Sequence, residues 1–140
     1  SDCPFFLINH PVFATGRGEI MTPVNVSLKG LSLFMVKPSV EVSTASAFRN
    51  VAPQKPEISL QELIQLPVTE WKDKIFNQFE ASVFPQFPQI EAVKNKLYDL
   101  GAIYASMSGS GSCVFGLFID IPVQIAEFFP ATYQTFIQKM

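Results

Sequence analysis
A chain of 140 residues is long enough for one domain with a hydrophobic core. Its formal net charge is −2 and its 10 Lys and Arg form no cluster, which excludes the basic footprint of a nucleic-acid binder. No apolar run approaches the ~20 residues that span a bilayer. Asp2, Pro4 and Asn9 interrupt the opening residues and no basic stretch precedes them, so no secretion signal is expected. Cys3 and Cys113 lie far apart, with no Cys or His spaced for a metal, and read as free thiols of a reducing cytoplasm.

Residues 1–30 differ in texture from the rest. Val12-Phe13-Ala14 and Ile20-Met21 are short apolar pieces around a Thr15–Glu19 turn, too little for a core of their own. Leu31 to Val36 is a continuous apolar run ending at Pro38, the pattern of a strand buried on both faces. A helix opening at Ser43 or Thr44 places Thr44 and Phe48 on one face. Pro53, Pro56 and Pro67 bracket a short amphipathic piece, Leu60–Ile64, and Val68, Trp71, Ile75 and Phe79 then recur at helical spacing. The strongest helix signal follows. Pro88 stands at its first position and Glu91 in its first turn, with Ile90, Val93, Leu97 and Leu100 on one face and Gly101 just past the end. Strands over Ala102–Ser108 and Ser112–Ile119, a short helix from Pro122 to Phe129 and a last strand over Tyr133–Gln138 complete the series. From Leu31 onward this is an α+β chain with the split βαβ order of the ferredoxin-like fold: an antiparallel sheet with helices on one face.

Between the two middle strands lies Ser108-Gly109-Ser110-Gly111-Ser112. Gly109 and Gly111 permit a positive φ and close backbone approach, and successive N–H groups in such a turn, with the serine hydroxyls, form a cradle for an anion. On spacing alone a β-hairpin with a permissive turn explains the run better than a phosphate site, because no Lys-Ser or Lys-Thr follows the glycines and no helix opens behind them. His10 and Arg17 read as exposed loop residues, Trp71 and Glu80 as braces of the helical layer, and Lys72, Asp73 and Lys74 as a solvated face.

The serine-glycine run resembles the third glycine-rich signature of the GHMP kinases, a superfamily of small-molecule kinases. Other pieces narrow the resemblance to its 4-diphosphocytidyl-2-C-methyl-D-erythritol kinases. Asp2-Cys3-Pro4-Phe5-Phe6 is similar to that family's Gly-Ala-Asp-x-Pro-Phe-Phe, and Ala14-Thr15-Gly16-Arg17-Gly18-Glu19, Val36-Lys37-Pro38, Ser43-Thr44-Ala45 with Phe48, and Gly101-Ala102 follow in the family's order. Asn77-Gln78-Phe79-Glu80 stands where the family usually has Asn-Asp-Phe-Glu, so the acid at Gln78 is missing.

The resemblance implies the fold of a GHMP kinase C-terminal domain over residues 31–140, with residues 1–30 a remnant of the N-terminal domain. It implies that Asp2 is the catalytic base, that Thr44 and Phe48 reach the cytidine end of the substrate, Phe48 by stacking, and that Ser108–Ser112 lies at the phosphate end. It implies ATP as co-substrate, Mg²⁺ to neutralise its phosphates, no metal ligand in this stretch, and a cytoplasmic place in non-mevalonate isoprenoid precursor synthesis. The family's N-terminal lysine and its Pro-x-x-x-Gly-Leu-Gly-Ser-Ser loop do not occur here. The chain therefore reads as the C-terminal half of a kinase, inactive alone, whose partners are ATP, the cytidylyl substrate and the missing half, with neither nucleic acid nor membrane. In such a piece, part of the surface of its 14 phenylalanines faced that half. Two alternatives stand beside this reading: a stand-alone ferredoxin-like metabolite-binding or regulatory module, and a GHMP kinase for mevalonate, phosphomevalonate or homoserine.

Overall fold
The computed structural model describes residues 10–49, 51–54 and 57–140. Strands β1 (Val12–Thr15) and β2 (Ile20–Pro23) pair as an antiparallel hairpin. A four-stranded antiparallel sheet contains β3 (Ser32–Lys37), β4 (Tyr104–Met107), β5 (Val114–Phe118) and β6 (Gln134–Lys139) in the order β4-β5-β3-β6. This is the order that the split βαβ pattern dictates: the first strand of the unit sits inside, between the third and the last. Both crossovers of the unit leave every neighbouring pair antiparallel.

Helices α1 (Thr44–Arg49), α3 (Phe79–Val83) and α4 (Pro88–Asp99) supply one layer; α2 (Leu60–Leu63) is a single turn closed by a capping box between Ser59 and Glu62. Helix α4 forms where the sequence predicts it. Pro88 lacks the N–H that would be orphaned there, and after Leu100 the chain reverses at Gly101 with φ +98°. Its buried Ile90, Val93 and Leu97 meet Phe34 and Val36 of β3, Ala105 and Met107 of β4, and Val114 and Phe118 of β5. Burying each aliphatic side chain is worth about 1.5–3 kcal/mol, so this face carries most of the core.

The opposite face of the sheet presents Leu33, Tyr104, Phe115 and Leu117. It is covered by Val26, Leu28 and Leu31 and by Ile64, Leu66, Val68, Trp71 and Ile75. The sheet is thus apolar on both sides, as the continuous run from Leu31 predicts, with the helical layer on one of them.

Two elements differ from the sequence reading. The stretch from Val68 to Phe79 is not one helix: a 3₁₀ turn over Val68–Glu70 and irregular chain precede α3. Val68, Trp71 and Ile75 serve the far face of the sheet, whereas Phe79 packs in the helical layer, so one continuous helix does not suit both. The Trp71 indole N–H donates to the Leu66 carbonyl at 2.9 Å and anchors the bend. The expected helix between Pro122 and Phe129 is only a 3₁₀ turn over Ile125–Phe128, entered through Gln124 at φ 56°. It still delivers Ile125 and Phe129 to the core.

Candidate functional site
Strand β4 is an edge of the sheet, so the outward N–H and C=O groups of its alternate residues need partners from elsewhere. Three side chains supply them. The Tyr98 hydroxyl accepts from the Ala105 N–H at 3.0 Å and donates to the Ala105 carbonyl at 3.1 Å. Glu80 Oε1 accepts from the Met107 N–H at 2.8 Å and from the Ser106 hydroxyl at 3.2 Å. Asn77 Nδ2 donates to the Met107 carbonyl at 2.7 Å and to the Gly109 carbonyl at 2.8 Å. Glu80 is only 8% exposed, and its other oxygen receives Lys94 Nζ at 2.5 Å, which ties α3 to α4. The Asn77-Gln78-Phe79-Glu80 segment therefore grips β4 up to the point where the glycine turn begins.

Within the turn, Gly109 and Gly111 take φ of +54° and +93°. A Cβ on Gly111 would lie 2.9 Å from Met107 Sδ, so this position needs both the backbone freedom and the space; a Cβ on Gly109 meets nothing within 4 Å. The Ser108 N–H closes the turn on the Cys113 carbonyl at 2.8 Å, and the Gly111 N–H bonds the Ser108 carbonyl at 3.0 Å. Among the described residues, the N–H groups of Gly109, Ser110 and Ser112 meet no backbone or side-chain acceptor. Ser108 and Gly109 are exposed, Ser110 and Gly111 half-buried and Ser112 buried. The beginning of the turn is the part that faces solvent.

Helix α1 approaches this turn. The Thr44 hydroxyl lies 3.3 Å from the Ser110 hydroxyl. Phe48 stands one helical turn further along the same face and is 62% exposed. Its ring forms a T-shaped pair with that of Phe79, with ring centroids 4.8 Å apart and planes at 82°. The buried Ser82 hydroxyl donates to the Ala47 carbonyl at 3.0 Å and fixes α1 on α3. Thr44, Phe48 and the serine-glycine turn, residues separated widely in sequence, thus share one surface. Asp2 lies outside the described residues.

The other sequence candidates lie apart from this surface or engage locally. His10 is exposed. The Arg17 N–H donates to a Glu19 carboxylate oxygen within the hairpin turn. Cys113, beside the turn, is a half-buried free thiol, and burial pushes its pKa up while Lys37 pulls the other way. It is protonated at neutral pH and is a poor nucleophile. Gln78, where an acid was expected, donates from Nε2 to the Gln54 carbonyl at 2.6 Å, a bond no carboxylate can make. Among the described residues, no group of three or more His, Cys, Asp and Glu side chains converges, and no helix is long and apolar enough to cross a membrane.

Glu80 does brace the helical layer through Lys94, as its sequence context predicts, whereas Trp71 serves the opposite face of the sheet. The grip of Asn77, Glu80 and Tyr98 on β4 is not legible in the sequence and becomes visible only once β4 is known to be an edge.

A sheet of this order bearing a helical layer and a glycine turn beside α1 defines a class, and comparison with known proteins names it. Residues 60–134 match the family described as GHMP kinases C terminal, and the chain belongs to that family. More particularly, it is 58% identical over 118 residues to the 4-diphosphocytidyl-2-C-methyl-D-erythritol kinase of Bacteroides fragilis, an alignment covering 84% of this chain and 43% of that protein. The kinase of the same name from Parabacteroides distasonis is 58% identical over 118 residues, covering 84% and 44%. The chain spans less than half the length of these relatives. A crystal structure of 4-(cytidine 5'-diphospho)-2C-methyl-D-erythritol kinase superposes with a TM-score of 0.80 at 27% identity, over 98% of this chain and 52% of that one. A homoserine kinase from Cytophaga hutchinsonii shares the fold, with a TM-score of 0.59 at 21% identity over 90% of this chain and 47% of that one.

Proposed function
We propose that this chain is the C-terminal part of an ATP-dependent kinase that phosphorylates the 2-hydroxyl of 4-diphosphocytidyl-2-C-methyl-D-erythritol, in the non-mevalonate route to isoprenoid precursors in the cytoplasm. The observation that carries this reading is the shared surface of Thr44, Phe48 and Ser110, in a chain 58% identical to relatives named for that substrate. An exposed aromatic ring beside a polar turn suits a ligand with a base at one end and phosphates at the other. A base stacked on an aromatic side chain is worth about 1–3 kcal/mol. The outward N–H groups and hydroxyls of Ser108–Ser112 offer donors to phosphate oxygens without needing a cation.

In this reading the γ-phosphoryl leaves ATP as its bond to the ADP oxygen breaks, and a new bond forms to the substrate oxygen. The hydroxyl proton passes to the carboxylate of Asp2, and the turn and α1 hold the substrate in line. Residues 1–30 belong to the N-terminal domain and 31–140 to the C-terminal domain, and the 140 residues alone have no turnover. Mg²⁺ accompanies the phosphates of ATP in the proposal, and none of the described residues is assigned to it.

The alternative of a homoserine kinase rests on fold likeness alone. The exposed ring of Phe48 favours a substrate that carries a base over a small alcohol that has none. The test uses the intact gene product containing this chain, assayed for ATP-dependent phosphorylation of the cytidylyl substrate, mevalonate and homoserine side by side. Turnover with the cytidylyl substrate, lowered about 10²–10⁴-fold in kcat by Asp2→Asn with substrate binding nearly unchanged, is the expected result. Preference for another alcohol would overturn the substrate, and a fully active Asp2→Asn variant would overturn the base.

A further inference from the structure
We propose that Asn77 is a positioning residue that aims the glycine turn at its ligand, through the carbonyl of Gly109. The proposal rests on the placing of that turn in the kinase site. Asn77 spends its whole amide on three backbone groups. Nδ2 donates to the carbonyls of Met107 and Gly109 at 2.7 and 2.8 Å, and Oδ1 accepts from the Phe79 N–H at 3.0 Å.

The consequence follows from peptide geometry. In a trans peptide the C=O and the N–H point in opposite directions. Drawing the Gly109 carbonyl toward Asn77 therefore turns the N–H of Ser110, in the same peptide plane, away from the protein side of the turn. That N–H meets no acceptor among the described residues, and its own side chain stands against Thr44. The Met107 carbonyl is held by the same amide, and the N–H of the following Ser108 is committed to the Cys113 carbonyl. The Met107–Ser108 peptide is thereby locked into the ladder, and the Gly109–Ser110 peptide, two further along, is turned out of it. Gly109 has φ +54°, a conformation with little to hold it in a free chain, so an external latch on its carbonyl is what makes the donor pre-organised. Glu80 adds the second fixed point by accepting the Met107 N–H. Asn77 never touches the ligand; it acts by fixing the direction of a backbone donor.

Asn77→Asp separates the latch from the other work of this side chain. An Asp oxygen still accepts the Phe79 N–H and keeps the start of α3, but an ionised carboxylate cannot donate to either carbonyl. The intact gene product and its Asn77→Asp and Asn77→Ala variants are compared by amide hydrogen exchange over residues 107–113, and by kcat and KM for the cytidylyl substrate. Asn77→Asp is expected to speed exchange across the turn by about tenfold or more and to lower kcat/KM by about tenfold. Asn77→Ala loses the bond from the Phe79 N–H as well and melts earlier. Lowering the pH far enough to protonate the new carboxyl returns one donor and is expected to restore part of the protection, once intrinsic exchange is corrected for. Unchanged exchange in Asn77→Asp overturns the latch, whatever the enzyme does. Faster exchange with unchanged kinetics overturns the aiming of the turn at the ligand. Absence of turnover in the parent protein counts against the kinase reading, and the exchange comparison still decides the latch.

Discussion
The hydroxyls of Thr44 and Ser110 lie 3.3 Å apart, although 66 positions separate them in the chain. This contact joins the first residue of α1 to the middle of the glycine turn, and it is the only hydrogen bond between those two pieces among the described residues. Both groups lie near solvent, so the bond itself is worth about 0.5–1 kcal/mol. A double-mutant cycle of Thr44→Val and Ser110→Ala, read by denaturant unfolding of the intact protein, is expected to return a coupling of that size. Strict additivity would mean that the two hydroxyls meet without holding each other.

Phe48 can now be separated from the many core phenylalanines. Its ring is 62% exposed and meets Phe79 in a T-shaped pair, so truncation removes little buried surface. Phe48→Ala should therefore cost well under the roughly 3–5 kcal/mol of a core Phe→Ala change. In the intact protein it should weaken the cytidylyl substrate by about 1–3 kcal/mol while ATP affinity stays nearly constant. Phe48→Trp should keep most of the affinity. Calorimetric titration with each ligand, beside a thermal melt, checks all three, and loss of ATP binding would move Phe48 out of the cytidine end.

The two turn glycines should not respond alike. Gly109 sits in the left-handed helical region with open space around it, a conformation that Asn tolerates better than most residues. Gly109→Asn should cost about 1 kcal/mol, the low end of the roughly 1–3 kcal/mol for a non-glycine residue in that region. At Gly111 the φ of +93° is joined by a contact of 2.9 Å with Met107 Sδ, so even Gly111→Ala should cost more than Gly109→Asn. Parallel melts of the two variants give the ranking, and equal costs would show that the space beside Met107 is irrelevant.

Alkaline stability follows from the far face of the sheet. Burial pushes the phenol of Tyr104 from its ordinary 10.0 up to about 12. The folded protein thus holds this proton more tightly than the unfolded chain. The contribution is fully present below about pH 10 and is lost as pH rises toward about 12, at about 1.4 kcal/mol per pH unit while only the unfolded state has ionised. Tyr98, also raised by burial first of all, adds the same sign. Tyr104→Phe should flatten part of the alkaline limb of a stability–pH curve, and an unchanged limb would place its cause elsewhere.

How much of this was legible in the sequence depends on whether the signal was local. Pro88, Glu91, the apolar stripe and Gly101 all act within one element, and α4 appears where they predict. Val68, Trp71, Ile75 and Phe79 have equally good spacing, yet they belong to two cores on opposite sides of a sheet, and no local pattern reveals which side a residue will serve. The same holds at the site. Positive φ at Gly109 and Gly111 could be read from residue type, and the meeting of Thr44 with Ser110 could not, since it needs α1 to be docked by Ser82. Asn77, Glu80 and Tyr98 are ordinary polar residues until the strand order leaves β4 with one unpaired edge.

The position of β3 inside the sheet also sets the order of events when the chain is made. Its Val36 pairs with Val114 and its Ser32 with both Phe118 and Lys139, so neither neighbour exists until most of the polypeptide has left the ribosome. Contacts of such sequence separation are slow to form because a long loop must close before they return any energy. Meanwhile the stretch from Leu31 to Val36, destined to be covered on both faces, is held in the open as a nascent hydrophobic strand. The interval between the emergence of β3 and that of β6 is therefore the time when a chaperone has most to bind, and the growing sheet acquires its second inner strand pairing only when β6 arrives.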